Sequence, residues 1–401
     1  MFSYALYTPL LLASALMTVG FVNTANADDI ETSLTLGAET RVFFQDPLFD
    51  SQVENAQLSF SISPEVKWQT EDRGQRASFI GFTRFDSEDD ERTHSDIREL
   101  FYARSWDSLT LTAGINKVFW GVTESVHLVD IINQTDLVED IDQEDKLGQP
   151  MIQLSSQKDW GRIEAFVLPY FRKRTFTSED GRFYLGLPVD DDAAFQSDDD
   201  EQHLDWALRY SHFIGDIDIG MHLFDGTNRE PQLRLMSNGS LRPFYEQIQQ
   251  FGLDAQYTYD AWLLKLEMIY RASDFDEFAA AVAGLEYTLF QVADSTMDLG
   301  LLLEYQYDDR DQNVTFSFAD NDFFLAARLG LNDIQDTSVL AGVVIDTDTS
   351  SQFFNVEAER RLGNRFVAEL RARFLTNADQ SDADFIFSQD DYVQVTLNYY
   401  L

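Results

Sequence analysis

The sequence predicts an all-β fold: a transmembrane, antiparallel, up-and-down β-barrel of about 18 strands, within a range of about 14–18, with long acidic extracellular loops. Three observations predict it. Apolar and polar residues alternate with a period of two along most of the chain. Many alternating segments run about 10–14 residues, longer than the about 5–6 usual in soluble sheets and enough for the about 9–11 that a tilted membrane strand needs. The connections alternate between short and long, as the two ends of such a barrel require.

The chain opens with an export signal. Leu10 to Val22 is apolar apart from Ser14, Thr18 and Gly20, and Asn23-Thr24-Ala25-Asn26-Ala27 follows as an A-x-A cleavage site. Met1 to Pro9 holds no Lys or Arg, so either the true start lies upstream or the free amino terminus supplies the positive charge. The expected organisation is a signal peptide over 1–27 and one barrel domain over 28–401. No later apolar run approaches the about 20 residues of a membrane helix.

The first strand segment, 31–44, puts Leu34, Leu36, Ala38, Thr40, Val42 and Phe44 on one face and Thr35, Gly37, Glu39 and Arg41 on the other. The second, 57–70, alternates Leu58, Phe60, Ile62, Val66 and Trp68 with serines, Glu65 and Lys67. Segment 76–86 has no clean face. Segments 95–106, 109–120, 151–157, 161–172, 203–213, 216–225 and 249–259 follow. In 261–272, Trp262, Leu264, Leu266, Met268 and Tyr270 oppose Lys265, Glu267 and Arg271. Then come 278–290, 297–308, 323–332, 336–347 and 353–362. In 364–375, Phe366, Ala368, Leu370, Ala372 and Phe374 oppose Glu369, Arg371 and Arg373. The last segment is 389–401. Aromatics gather near strand ends (Phe44, Trp68, Trp120, Tyr259, Trp262, Tyr307), as in an interfacial girdle. Charges of both signs sit mid-strand on the opposite face. Apolar out and charged in demands a wet interior.

Composition narrows the function. The 401 residues carry 29 Lys+Arg against 70 Asp+Glu, a formal net charge of -41. Nucleic acid is not an expected partner, because phosphate neutralisation needs clustered Lys/Arg. The 14% aromatic content argues against disorder. The absence of cysteine excludes disulfides and thiol chemistry. Acidic runs at Asp86 to Glu91, Asp136 to Asp145 and Asp190 to Glu201 fall in long connections and read as a solvated rim. Binding of divalent cations that tether anionic lipopolysaccharide is the alternative, although no run has the spacing of an EF-hand. No metal site or cofactor is expected.

Val393, Val395, Leu397, Tyr399 and Leu401 alternate to the last residue, the kind of terminal strand that barrel-assembly machinery reads. With Ile97-Arg98-Glu99-Leu100-Phe101-Tyr102, Leu111-Thr112-Ala113-Gly114, Trp120-Gly121, Asp130-Ile131-Ile132-Asn133 and the stretch Tyr245 to Arg271, the chain resembles proteobacterial outer-membrane porins of the alginate-export and related porin-like families. Where such proteins often carry Arg-Gln and then Pro, this chain has Ile115-Asn116 and Gln134. The resemblance implies a Gram-negative outer-membrane barrel and a pore, with contacts to lipid and lipopolysaccharide and a homotrimeric assembly, and names no substrate.

Parity assigns the inward charges: Lys67, Arg209, Lys265, Glu267, Arg271, Glu286, Glu304, Arg328, Glu357, Glu359, Arg361, Glu369, Arg371 and Arg373. Rows of opposed charge tune ion selectivity in a pore; the alternative is that they pair across strands and plug it. The connection 121–150 spends Val126, Leu128, Val129, Ile131 and Ile132, so it packs on something. Read as an infolded constriction, it offers Glu124, Asp130, Asp136 and Glu139 as lining; read otherwise, it packs over the barrel mouth. Arg172-Lys173-Arg174, at an expected strand end, is the candidate lipopolysaccharide contact. No G-x-S-x-G, H-E-x-x-H or P-loop motif occurs, and no catalytic residues are assigned. His212 and His222, with Ser211, Asp205 and Asp218 nearby, leave triad geometry to be decided in space. The expected function is passive diffusion of small hydrophilic solutes or ions. The alternatives are a structural or adhesive barrel with a plugged lumen and an outer-membrane barrel hydrolase.

Overall fold

The computed structural model describes residues 29–311, 320–378 and 383–401; the leader expected over 1–27 lies outside the described residues. The strands, in chain order, are β1 (Asp29–Phe43), β2 (Ala56–Gln69), β3 (Gln75–Asp86), β4 (Ser95–Trp106), β5 (Leu109–Asn116), β6 (Gln149–Lys158), β7 (Gly161–Leu168), β8 (Ala194–Phe195), β9 (Asp205–Ile214), β10 (Ile217–Thr227), β11 (Gln232–Leu235), β12 (Leu241–Tyr245), β13 (Gln247–Tyr259), β14 (Trp262–Ser273), β15 (Glu277–Leu289), β16 (Asp298–Asp308), β17 (Asn321–Gly330), β18 (Ser338–Asp346), β19 (Gln352–Leu362), β20 (Phe366–Thr376) and β21 (Tyr392–Tyr400).

Eighteen of these form one antiparallel sheet. Each barrel strand pairs with its neighbours in sequence, and β1 closes the ring on β21 with Ala38 opposite Leu397. Closure leaves no edge unpaired, which a wall in lipid requires. The pleat sends alternate side chains to opposite sides. His222 is 1% exposed on the inner face while the next residue, Leu223, is 47% exposed on the outer. Short turns use residues that tolerate positive φ: Gly215 at +65° between β9 and β10, and Asp260 at +50° between β13 and β14.

Each of the eighteen expected strand segments has its counterpart. Two end early. The segments expected at 109–120 and 161–172 stop at Asn116 and Leu168, because the chain there leaves the wall and turns inward. The long connections also hold structure that alternation did not signal: β8, β11 and β12 form a separate three-stranded sheet in the outer loops. Segment 76–86 lacked a clean face because Ile80 and Phe82 point inward beside Ser78 and Arg84. The guanidinium of Arg98 lies 4.8 Å from the Phe82 ring centroid. Opposite them, β4 carries a bulge at Ile80/Gly81, where an extra residue, Arg98, enters the inner face.

Burial is uneven along the barrel axis. In β1, β2 and β9 the inward residues are buried at the long-loop end and exposed toward the short-turn end. The outer half of the lumen is packed, and the inner half is a vestibule.

Candidate functional site in the barrel lumen

Residues 117–147 leave β5, cross the lumen and return to β6. Two wall carboxylates hold the start of this segment. Glu267, inward on β14 and fully buried, accepts hydrogen bonds from the N–H groups of Val122 (2.7 Å), Thr123 (3.0 Å) and Val129 (3.2 Å) and from the Thr123 hydroxyl (2.7 Å). Glu304, inward on β16, accepts from the N–H groups of Glu124 (2.8 Å) and Ser125 (2.9 Å) and from the Ser125 hydroxyl (2.6 Å). These charge-assisted bonds satisfy amides that have no strand partner, at roughly twice the strength of neutral ones. Gly121 permits the approach: a Cβ there would lie 2.8 Å from His127 Nδ1 and 3.1 Å from Glu267 Oε1.

One side of the segment is apolar. Trp120, Val129, Ile131 and Ile132 are buried against Phe166, Phe224, Ile269 and Phe278 of the wall. Each such side chain contributes about 1.5–3 kcal/mol over exposure. That explains why a loop carries so many aliphatics.

Its far end is held by arginines. Arg84 of β3 pairs with Glu139 (2.6 Å) and Glu39 (3.1 Å). Arg98 pairs with Asp136 (2.6 Å). Arg371 of β20 donates to Asp140 (2.6 Å), and Arg373 donates to both Asp140 and Asp142, the latter at 2.8 Å. Burial alone would raise the Asp140 carboxyl, but Arg373 and Arg371 hold it well below the usual carboxylate range. Asp136 is held at about 2, its burial outweighed by His94 and Arg98. Burial, with Glu139 and Asp142 nearby, pushes Asp145 up to about 7. His127 lies between Glu144 (3.0 Å) and Glu267 (3.7 Å); burial opposes its charge, yet those two acids push it up to about 10.

The other parity-assigned residues also face inward. Arg209 pairs with Asp254 (2.8 Å) and lies over Trp120. Arg271 pairs with Glu230 (2.5 Å), an acid from the connection after β10. Lys265 lies 3.7 Å from Glu124 and 4.0 Å from Glu286. Arg328 pairs with Glu124 at 2.5 Å. Lys67 pairs with Glu65 near the short-turn end. Arg361 lies 3.9 Å from Asp336, and Glu357 lies 3.6 Å from Arg373. Glu369 accepts from the Asn398 amide at 2.7 Å. Glu359 is exposed.

Of the four lining candidates, only Glu124 keeps a partly exposed side chain. Asp136 and Glu139 are buried under Arg98 and Arg84, and Asp130 stands beside Lys146 (3.4 Å), so these three anchor the segment and line no open space. The basic cluster also needs correction. The strand ends at Leu168, so the cluster does not sit at the strand end as one outward patch. Arg172 instead pairs with Asp96 (2.8 Å), the Arg174 N–H donates to Tyr245, and Lys173 alone is exposed. His212 and His222 fall on opposite faces of the wall: His212 is on the outer face, and His222 is buried against Gln250 and Trp120. They share no site.

The plug is incomplete in one sector. Among the described residues, β18 and β19 are the barrel strands with no buried residue. They are bracketed by the two tethers of the infolded segment, Glu124 to Arg328 on β17 and Asp140 to Arg371 on β20. Between the two tethers, the inward side chains of these strands keep at least partial exposure, so the packing of the outer half is interrupted there.

Two groups of side chains place possible metal ligands within 4.8 Å of one another: His94, Asp136 and Glu139, and Asp320, Asp322 and Asp346. In the first, Arg98 and Arg84 already neutralise the carboxylates.

No family model matches the sequence, and no curated protein matches it. Solved structures do match. OccK3 of Pseudomonas aeruginosa is 9% identical, with 92% of this chain and 96% of that one covered at a TM-score of 0.51. A BenF-like porin from Pseudomonas fluorescens Pf-5 is 9% identical, covering 93% and 98%, at 0.53. Wzi of Escherichia coli, a carbohydrate-binding β-barrel involved in group 1 capsule assembly, is 9% identical, covering 92% and 83%, at 0.54. At such identity the likeness is one of fold: the chain has the closed barrel of outer-membrane proteins.

Proposed function

We propose that the protein is an outer-membrane channel for passive diffusion of small hydrophilic solutes. The observation that carries this reading is the unburied sector at β18 and β19 in a lumen otherwise packed by residues 117–147. A structural plug would bury that sector too. An 18-strand wall is wide enough to hold both a folded segment and water beside it. Arg328 and Arg371 hold the segment off these strands, so the aperture has fixed edges. On this reading the short turns and both termini face the periplasm, and the acidic loops face outward beside lipopolysaccharide. The likeness of 97–133 to alginate-export porins supports the same class without assigning a polymer. The purified protein in liposomes would be tested by swelling in neutral solutes of increasing size. We expect uptake of three-carbon polyols and monosaccharides, with a sharp fall at trisaccharides. Liposomes that stay tight to the smallest polyol would overturn the reading in favour of a plugged, structural barrel.

A further inference from the structure

The unburied sector also has a charge character, which follows from how its ions are paired. The arginines at its two edges are occupied; Arg361, inward on β19 itself at the short-turn end, lies 3.9 Å from the exposed Asp336. Arg328 is held by Glu124 at 2.5 Å, Arg371 by Asp140 at 2.6 Å, and Arg373 by Asp140 and Asp142. The acids on the same wall are not balanced in this way. Glu357 keeps 38% of its side chain exposed; it accepts one amide hydrogen bond from Asn355 at 3.1 Å, and its nearest cation is the already engaged Arg373 at 3.6 Å. Below it, Glu359 of β19 stands directly opposite Glu369 of β20 in the ladder. Neither has an ion-pair partner among the described residues, and the Glu369 carboxylate takes one amide hydrogen bond from Asn398. Like charges facing each other across a ladder destabilise it unless a counter-ion screens them.

Toward the long-loop end the same face changes character. Phe353 stands two residues above Asn355 and four above Glu357, and Val344 is its partner on β18. Along β19 the inner face therefore runs from Phe353 through Asn355 to Glu357 and Glu359, with Leu340 of β18 opposite Glu357.

We propose that this sector is a track for small organic cations, in which Glu357, Glu359 and Glu369 take the ammonium group while Phe353 and Val344 take a short hydrocarbon body. This rests on the channel reading above. Arginines spent on the infolded segment contribute fixed ion pairs and little net field, whereas unpaired carboxylates concentrate counter-ions in a low-dielectric passage.

The test uses the folded protein in planar bilayers under bi-ionic gradients. Butylammonium and butyrate share one body and differ in charge. The proposal predicts that butylammonium is favoured several-fold, and favoured over methylammonium as well. Glu357→Gln and Glu359→Gln should each lower the butylammonium-to-butyrate ratio, while Asp107→Asn, in a short turn away from the passage, should leave it unchanged. Equal or greater permeability to butyrate, or a ratio unmoved by both Gln variants, would overturn the cation track with the channel intact. A folded barrel with no conductance at all would instead overturn the channel reading, and this proposal with it.

Discussion

Glu267 shows how a single residue type decides the lumen. Its position on the alternating pattern of β14 makes it inward, and its four hydrogen bonds make it a dock for the backbone of the infolded segment. His127 completes the dock and supplies the residue-scale prediction. Its folded value of about 10 lies above the ordinary 6.5. A raised value means that the tether is fully present below about pH 6.5 and is lost as pH rises toward 10. Open-channel current noise should therefore grow between pH 6.5 and pH 10, and a His127→Gln variant should be noisy throughout. Noise that is flat over that window in the natural protein would contradict the assignment. The inward charges were legible because a period of two leaves only two faces. Arg98 and Arg84 were not. Arg98 enters through a bulge that breaks the period, and Arg84 belongs to a strand whose inner face carries Ile80 and Phe82. Asp140 sat within an acidic run that read as solvent-exposed, and only the approach of Arg371 and Arg373 from β20 shows its role.

At the scale of the element, the segment 117–147 is a loop with a core. Its aliphatic content was legible as a need to pack, but the sequence left two places for it, inside the barrel or over its mouth. The choice falls inside because Glu267 and Glu304 supply acceptors there and Phe166, Phe224 and Phe278 supply an apolar bed. Trp120 is the largest side chain of that contact and lies 5.6 Å, edge-on, from Phe166. Trp120→Ala should cost about 3–5 kcal/mol of local stability. The wall, hydrogen-bonded strand to strand, should stay folded. Single channels of this variant should fluctuate between the natural conductance and larger levels as the segment leaves its bed. Unchanged, quiet channels would show that the ionic tethers suffice without the apolar contact. The outer three-stranded sheet was not legible, because β8 and β12 are two and five residues long and one pairing is parallel.

The whole molecule is a closed wall whose apolar side meets lipid and whose charged side meets a partly filled interior. Closure was legible from strand length and from the alternation of turns and loops. What parity could not tell was how much of the interior is filled, since the same inward charges serve a pore or a plug. The structure gives a mixed answer: the outer half of the lumen is packed around the ring except at β18 and β19, where no residue is buried. The central claim is that water and solutes pass there, and single-channel recording of the refolded barrel in a planar bilayer tests it most directly. The account predicts discrete, long-lived conductance steps of a fraction of a nanosiemens, small for so wide a wall, that increase when residues 124–142 are replaced by a short Gly-Ser linker. A correctly folded barrel that inserts and leaves the bilayer electrically tight would contradict it.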